Sequence, residues 1–363
     1  MQIRGRDVLL PATIVNSLPR PIFMQGRVFG EGVHAREFPS FRHRELFQAA
    51  VSLAVKDQQD AGLDVITDGG QYYETDTNYE VAEHHHVMAQ RLEGYVPYGD
   101  RMVAGEFDLP IYKPTAIAPI RWRRPVLKPI VEAVREATSA PFKLHMGIGP
   151  VTLAAITTDE YYNGDIRALA LDVARAFNAE LRDIERRGGV DMVQVAEPLT
   201  FFENEPWIIE ALNTAFEGIS MTRVVHICYG HEEGQTGQSE LRAASLLPWA
   251  FDIDCDMFHL ELASHDFAEA EALKGWPADK LLAVGALDGK NLNVESPERI
   301  AAWLRRVVQV VPAGQVAVAS DCALASLLQI VVKKKMRALV AGAAIVRSEL
   351  TGTPRPDPAA VAG

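Results

Sequence analysis

Short β-branched runs alternate regularly with amphipathic helical patterns from about residue 142 onward, and this alternation restricts the fold more than any other feature. The longest helical pattern covers 165–187. This order predicts βα units around a parallel sheet, because parallel strands need a crossover connection that is usually a helix. With two earlier runs, at 12–15 and 64–67, the count of predicted strands reaches eight. We therefore predict an α/β fold of the (β/α)8 TIM-barrel type, as one domain over residues 1–350.

Two segments do not follow the alternation. Few helical periods occur between about residues 71 and 125, so we predict a long irregular insertion after the second strand. Insertions of this length often form pocket walls. Residues 351–363 are rich in Pro and Ala, and we expect them to form a flexible tail.

Three of the predicted strands end on residues that bind metals. His226 and Cys228 are two apart on one strand, so their side chains point to the same face. Glu261 ends the next strand, and Cys322 follows the last one. A cysteine at a strand end is by itself more often a core residue. An imidazole, a carboxylate and two thiolates at the catalytic end of a barrel nevertheless make a complete tetrahedral zinc set.

The composition narrows the partners. A net charge of −12 argues against nucleic acid or an anionic membrane as a partner. No run approaches the ~20 apolar residues of a membrane span. Three cysteines without a disulfide framework fit a reducing compartment, so we expect a cytoplasmic protein.

Short motifs, spread in order over nearly the whole chain, together resemble one family. They are Ser17-x-Pro19-Arg20-Pro21, Gly62-Leu63-Asp64-Val65-Ile66-Thr67-Asp68-Gly69, Gly149-Pro150-Val151-Thr152, Gln194-Val195-Ala196-Glu197-Pro198, His226-Ile227-Cys228-Tyr229-Gly230, Leu260-Glu261 and Ser320-Asp321-Cys322. The chain resembles the cobalamin-independent methionine synthases, of which it has only the catalytic C-terminal barrel, and the related epoxyalkane:coenzyme M transferases. The resemblance implies Zn²⁺ as cofactor, with His226, Cys228, Glu261 and Cys322 as its ligands.

The resemblance also implies roles for residues around the metal. Ser17 matches a family residue that binds the acid group of the substrate, and the nearby Arg20 is a cationic partner for such a group. His231 follows the zinc motif and is a candidate to hydrogen-bond the substrate or to act as a proton donor. Asp321, beside Cys322, either orients the site or caps the next helix.

Two positions depart from the family pattern. Methionine synthases hold the homocysteine ammonium with an Asp in an Ile-Asp-Glu-Pro motif, where this chain has Ala196 before Glu197. They also use a Glu after the Asp-Gly pair, where this chain has Gly70. A buried ammonium without these partners would lose charge-assisted hydrogen bonds worth about 1.5–3 kcal/mol each. We therefore expect an acceptor thiol other than homocysteine, because positions 70 and 196 lack the carboxylates. The predicted substrate-binding residues are Ser17, Arg20, Gly70, Ala196 and Glu197.

We predict a zinc-dependent S-alkyltransferase that activates a small-molecule thiol as the zinc thiolate for methyl or other alkyl transfer. The alkyl donor stays open between methylcobalamin, a folate and an epoxide, and a homo-oligomer is also left open. One alternative is epoxide opening by a thiol such as coenzyme M, with Arg20, Lys143 or Arg223 as partners for its sulfonate. Two others are a methionine synthase with re-sited amino contacts and a non-catalytic zinc- or metabolite-binding barrel.

Overall fold

The computed structural model describes residues 1–21, 23, 41–71, 87–89, 91–96, 101–104, 109–198, 205–229 and 243–354, with residues 41–44, 101–104, 109–112 and 243–245 described by their backbone alone. The predicted proton donor His231 lies outside these residues, and so does the part of the predicted tail from residue 355. No helix in the described ranges is long and apolar enough to cross a membrane.

Strands and helices alternate over most of the described chain. The strands are β1 (Gln2–Ile3), β2 (Arg6–Asp7), β3 (Glu93–Val96), β4 (Arg101–Ala104), β5 (Leu109–Tyr112), β6 (Thr115–Arg121), β7 (Lys143–Ile148), β8 (Thr158–Asp159), β9 (Met192–Ala196), β10 (Thr222–Ile227), β11 (Met257–Leu260), β12 (Leu281–Gly285) and β13 (Val316–Ala319). The helices are α1 (Phe41–Ala61), α2 (Lys128–Ala137), α3 (Pro150–Ile156), α4 (Ile166–Arg187), α5 (Pro206–Phe216), α6 (Ala243–Ala250), α7 (Pro297–Val308) and α8 (Gln329–Thr351).

The centre of the fold is a parallel sheet of six strands in the order β13-β12-β11-β10-β9-β7. Two short segments complete the ring between its outer strands. Ala12 forms a parallel bridge with Val318 of β13, and Ile66 forms one with Phe142 just before β7. The N–H of Asp64 donates to the carbonyl of Ala12 at 2.9 Å and so joins the two segments. The predicted TIM barrel is confirmed, although its first two strands are reduced to single bridges.

Polar side chains cap two of these helices at their amino ends. The carboxylate of Asp165 accepts from the N–H of Ala168 at 2.9 Å and caps α4, which ends at Gly188. Ser296 caps α7 by accepting from the N–H of Arg299 at 3.2 Å. Such side chains satisfy N–H groups that have no partner inside the helix. The helices lie outside strands that are buried, which is how a parallel sheet is covered in α/β proteins.

The hairpin of β1 and β2 closes the amino end of the barrel. Ile3 packs in a small apolar cluster with residues from the ring, including Met192, Met257 and Ala317. These residues lie at or near the amino ends of their strands. Chemistry within the ring is therefore directed to the carboxyl ends of the strands.

The described part of the insertion is not irregular, and this expectation was wrong. β3 and β8 flank β6 in a three-stranded sheet, and β4 pairs with β5 in an antiparallel hairpin. Pro119 lies in the middle of β6, and a proline there argues against a strand on sequence grounds. The pairing of β3 with β6 shifts register between Glu93 and Tyr95, opposite the proline, so the missing N–H falls at an irregularity of the ladder.

Further elements differ from the prediction. The pattern at 267–273 indicates an α-helix, but the chain forms a 3-10 turn there, Ala270–Leu273, after another at Ala263–His265. Three helices that the sequence pattern does not predict, α2, α3 and α5, each have a proline in their first turn. Proline suits that position because its missing N–H would have no partner inside the helix.

Candidate metal centre

The ends of β10 and β13 bring together three of the four predicted metal ligands. One ligand atom from each of His226, Cys228 and Cys322 lies within 4.8 Å of the other two. His226 and Cys228 are turned to the same side by the alternation along the chain. Cys322 comes from the loop after β13, and β11 and β12 lie between β13 and β10 in the ring. The fold therefore assembles an imidazole and two thiols that are distant in sequence.

The imidazole of His226 has the environment of a metal ligand. Its Nδ1 lies 3.2 Å from the carbonyl oxygen of His259, to which it donates, so the acceptor lone pair is on Nε2. Within the described part of the chain, Nε2 is buried and has no hydrogen-bond partner. A buried nitrogen in this state is unusual unless an ion or a water completes it. A hydrogen bond from the other ring nitrogen to a carbonyl is also the usual way in which a metal-binding histidine is oriented. The donor set fits Zn²⁺.

The electrostatics of the two thiols differ. The pKa of Cys228 lies well below that of an ordinary thiol, because the Cys322 thiol hydrogen-bonds to it and His226 and Lys290 favour its negative charge. The pKa of Cys322 is raised by its hydrogen bond to Cys228 and by burial. One thiolate therefore forms readily here, and the second forms against repulsion unless a cation joins the site.

Glu261, the fourth predicted ligand, is not part of that group of three. Its Oε1 accepts from Ser264 Oγ at 2.5 Å and from the ammonium of Lys290, and its Oε2 accepts from the N–H of Tyr229 at 3.0 Å. Lys290 is not among the residues that the sequence predicts for this site. Its only signal was a charged residue in the loop that follows β12, at the same end of the barrel as the thiols.

Asp321 holds the turn that follows Glu261. Its carboxylate accepts from the N–H groups of Leu262, Ala263 and Ser264 at 2.8, 2.9 and 2.5 Å. Burial raises the pKa of Asp321 well above the usual range, and the nearby Glu261 adds to the effect. The two predicted roles of Asp321 are to orient the site or to cap the helix that follows it. Its contacts favour orientation of the site, because its carboxylate caps the turn after Glu261 and not the helix after Asp321.

Glu197 is fully committed to the start of α3. It accepts from the N–H of Val151 at 3.1 Å, from the N–H of Thr152 at 2.9 Å and from the hydroxyl of Thr152. Burial raises the pKa of Glu197 to about 7, against these three donors. Ala196, the last residue of β9, is half-buried.

Ser17 and Gly70 are in close contact. Gly70 has φ +65°, and a Cβ added there would lie 2.5 Å from Ser17 Oγ. The carbonyl of Ser17 accepts from the N–H of Leu324 at 2.9 Å, which ties this segment to the loop of Cys322. Arg20 is half-buried three residues further on. The predicted substrate-binding segment thus adjoins the loop that carries Cys322, and a side chain at position 70 would displace Ser17.

Two basic residues proposed as partners for a sulfonate are placed elsewhere. Lys143 is the first residue of β7, and Arg223 is near the start of β10 and bonded to Asp256 at 2.9 Å. Both therefore lie toward the amino ends of their strands, away from the thiols. The sequence could not reveal this because the prediction used only proximity along the chain.

The barrel interior below the thiols is polar. Lys143 Nζ donates to the carbonyl of Ile14 at 2.6 Å and to Gln194 Oε1 at 2.8 Å. His259 Nε2 lies 2.8 Å from the carbonyl oxygen of Ser320. Burial lowers the pKa of Lys143 to about 7 and that of His259 well below its ordinary value. These side chains link β7, β9 and β11 beneath the site.

We expect Lys143→Met to change how stability depends on pH. The folded protein releases the Lys143 proton near pH 7, whereas the unfolded chain keeps it to the ordinary value of 10.5. The unfolded state then binds more protons between these limits, so the free energy of unfolding rises with pH through this window. The slope should be about 1.4 kcal/mol per pH unit steeper than in the variant. Urea unfolding between about pH 8 and about pH 10 measures it, with the exposed Lys56→Met as control. Equal slopes for the wild type and Lys143→Met would show that Lys143 stays charged.

A TIM barrel with two thiols and an imidazole at the carboxyl ends of its strands has the make-up of a barrel enzyme with a metal centre. The sequence profile described as "Cobalamin-independent synthase, Catalytic domain" matches residues 10–345. The chain belongs to this family, which confirms the resemblance found in its motifs.

Individual relatives cover nearly all of the chain. A methionine synthase of Saccharolobus solfataricus is 30% identical over 348 residues, which are 94% of this chain and 96% of that protein. A 2-hydroxypropyl-CoM lyase of Xanthobacter autotrophicus is 27% identical over 383 residues, with coverage of 96% and 98%. The solved structure of a B12-independent methionine synthase from Shewanella sp. W3-18-1, in complex with selenomethionine, has a TM-score of 0.76 and 26% identity, and covers 95% of this chain and 100% of that one.

Proposed function

We propose that this protein is a zinc-dependent S-alkyltransferase whose acceptor is a small thiol without an α-amino group. The observation that carries the proposal is the group formed by His226, Cys228 and Cys322, in which a buried imidazole nitrogen, without a hydrogen-bond partner among the described residues, lies close to two thiols. Its position at the carboxyl ends of the barrel strands supports a catalytic centre. The membership in a family that includes methionine synthases and a CoM lyase supports thiol chemistry.

Some residues of the site would bind the ion, and others would hold those ligands in place. His226, Cys228 and Cys322 would hold the ion, with Glu261 as the fourth predicted ligand. A bound Zn²⁺ would let a substrate thiol react as its thiolate at neutral pH. Asp321 fixes the backbone after Glu261, and the hydrogen bond from His226 to the carbonyl of His259 fixes the imidazole. The buried surroundings exclude water, which strengthens electrostatic interactions with the reacting groups.

The nature of the acceptor is inferred from positions 70 and 196. Gly70 and Ala196 stand where carboxylates are expected for an amino-acid thiol, and Glu197 is occupied by the start of α3. Position 70 has no room for a side chain while Ser17 keeps its place. An acceptor with an ammonium would find neither of the two expected counter-charges, whereas a thiol with a hydroxyl or an acid group needs neither.

We expect Gly70→Ala to be more destabilising than a glycine substitution at an equally unusual backbone angle. Gly275 has φ +78° and nothing within 4 Å of an added Cβ, so Gly275→Ala bears only the cost of the left-handed conformation, roughly 1–2 kcal/mol. Gly70→Ala adds the clash with Ser17, worth roughly 1–3 kcal/mol more in a packed interior. Urea unfolding of both variants measures the difference. Equal losses would show that Ser17 moves freely and that position 70 tolerates a side chain.

A second candidate function is the opening of an epoxide by a thiol such as coenzyme M. The similarity to a 2-hydroxypropyl-CoM lyase over nearly the full length of both chains supports it, together with the missing carboxylates at positions 70 and 196. In this reaction the thiolate sulfur bonds to an epoxide carbon, the carbon–oxygen bond breaks, and the resulting alkoxide takes up a proton.

The test combines metal analysis with product analysis. Zinc content and zinc X-ray absorption are measured on the purified protein before and after addition of homocysteine, coenzyme M or 2-mercaptoethanol. We expect one zinc per chain and one more sulfur ligand with an amine-free thiol. Selectivity for homocysteine would restore methionine synthesis with re-sited amino contacts. A methylated thiol formed from methylcobalamin or a folate would identify methyl transfer, and a hydroxyalkyl thioether formed from epoxypropane would identify epoxide opening. A zinc shell that no thiol changes would favour a non-catalytic barrel.

A further inference from the structure

Lys290 forms a buried ion pair with Glu261. The side chains are 5% and 0% exposed, so neither charge is compensated by bulk water. The same carboxylate also accepts from Ser264 Oγ at 2.5 Å and from the N–H of Tyr229 at 3.0 Å. A carboxylate has about four lone-pair sites, and three are occupied by donors of the protein. Glu261 is therefore stable in its position without donating to a metal.

The ammonium of Lys290 is held in place by the structure of its loop. The N–H of Lys290 donates to Asp288 Oδ1 at 2.7 Å, and the N–H of Asp288 donates to Glu295 Oε1 at 3.0 Å. Glu295 is in turn paired at 3.0 Å with Lys335 of α8, whose side chain is completely buried. The loop after β12 is thus fixed to the helix layer, and Lys290 cannot leave Glu261 without disrupting this chain of contacts.

The ion pair of Lys290 and Glu261 affects the charge balance of the proposed metal centre. Zn²⁺ with two thiolates, a carboxylate and a neutral imidazole would have a net charge of −1, and the Lys290 ammonium would cancel it. A carboxylate that shares its charge with an ammonium is a weaker donor to a metal. A thiolate that replaced Glu261 would leave the charge of the ion with its four ligands at −1, and Glu261 would remain neutralised by Lys290.

We propose that Lys290 is a positioning residue that keeps Glu261 exchangeable, so that the substrate thiol takes the fourth place at the metal while Glu261 stays on the lysine. This inference rests on the proposed zinc chemistry and adds the residue that controls access to the metal. The three protein donors that bind Glu261 would then do more than stabilise the fold, because they would hold the carboxylate after the thiol displaces it from the metal.

The test measures zinc affinity and the number of sulfur ligands in the wild type and in variants of the pair. The main variant is Lys290→Met, with Lys290→Arg as the variant that keeps the charge, and Glu261→Gln and the double variant Lys290→Met/Glu261→Gln completing a cycle. Zinc affinity is obtained by competition with a chelator. The sulfur ligands are counted by zinc X-ray absorption, with and without 2-mercaptoethanol, a small thiol that needs no charged contacts.

We expect two sulfurs in the wild type and three after addition of 2-mercaptoethanol. Lys290→Met should bind zinc more tightly, roughly 10- to 100-fold, because Glu261 loses a charge-assisted hydrogen bond worth about 1.5–3 kcal/mol that competes with the metal, and it should keep two sulfurs when the thiol is added. Lys290→Arg should behave as the wild type, and the double variant should regain the third sulfur. If Lys290→Met does not fold, Lys290→Gln keeps a donor for Glu261 without the charge and is expected to show the same direction.

Two results would overturn the proposal and leave the zinc chemistry intact. In one, Lys290→Met takes up the third sulfur as readily as the wild type. In the other, its tighter zinc binding persists when Glu261 is replaced by glutamine, which would make Lys290 a general source of positive charge. A wild-type protein that binds no zinc would overturn the proposed function and this inference together.

Discussion

Replacing Cys228 by alanine is expected to weaken zinc binding by a factor of about 10² to 10³ and to abolish alkyl transfer. Zinc bound by four protein ligands has an apparent binding free energy of about 10–16 kcal/mol, or roughly 2.5–4 kcal/mol for each ligand. Cys228 is buried beside His226 and Cys322, where no other described thiol can take its place. Competition with a chelator gives the affinity, and product formation from an alkyl donor and a thiol gives the activity.

The matched control is Cys255→Ala. Cys255 is also a buried free cysteine, but it lies just before β11, toward the amino ends of the strands, and burial raises the pKa of its thiol to about 12. The control variant should bind zinc as tightly as the wild type. If the substitutions at 228 and 255 had the same small effect on zinc, the assignment of the metal centre to the ends of β10 and β13 would be wrong.

Replacing Asp321 by alanine is expected to lower both stability and zinc affinity. The substitution leaves three N–H groups, those of Leu262, Ala263 and Ser264, without their acceptor in a buried turn. Each buried donor without a partner costs about 1–3 kcal/mol, so a loss of at least about 3 kcal/mol in the free energy of unfolding is expected. Because this turn follows Glu261 directly, zinc affinity should fall by roughly 10- to 100-fold.

Asp159→Ala separates these effects from a general loss of hydrogen bonds. Asp159 also accepts from three N–H groups, those of Tyr161, Tyr162 and Gly164, but at a partly exposed loop where water can replace it. The control should lose little stability and no zinc affinity. A variant at 321 that kept its stability and its zinc but lost its reaction rate would instead identify Asp321 as a catalytic residue.

The barrel could be predicted because its signal is local and repeated. Several βα units have an apolar run followed by a helical period, and strands such as Val316–Ala319 are buried at every position. The insertion could not be predicted because its strands form through pairing with distant partners. β6 contains Pro119, and it is accommodated as a strand because the pairing with β3 changes register opposite the proline.

The candidate site divides in the same way. His226 and Cys228 could be placed together because alternation along one segment determines it, and Cys322 because barrel strands end at one face. Lys290 could not be found, since its partner Glu261 is 29 residues away and the loop that presents it is fixed by Lys335 on α8. The environment of Glu197 was equally hidden, because its three donors come from the start of α3.

The order of the strands has a consequence for the whole molecule. β10 and β13 are separated by β11 and β12 in the ring, so an ion held by Cys228 and Cys322 spans the opening of the barrel rather than one of its edges. Such an ion binds fully only when both strands occupy their native places, and its binding free energy then adds to that of folding. The ion would act as a reversible crosslink, and the free energy of unfolding would rise with the concentration of free zinc.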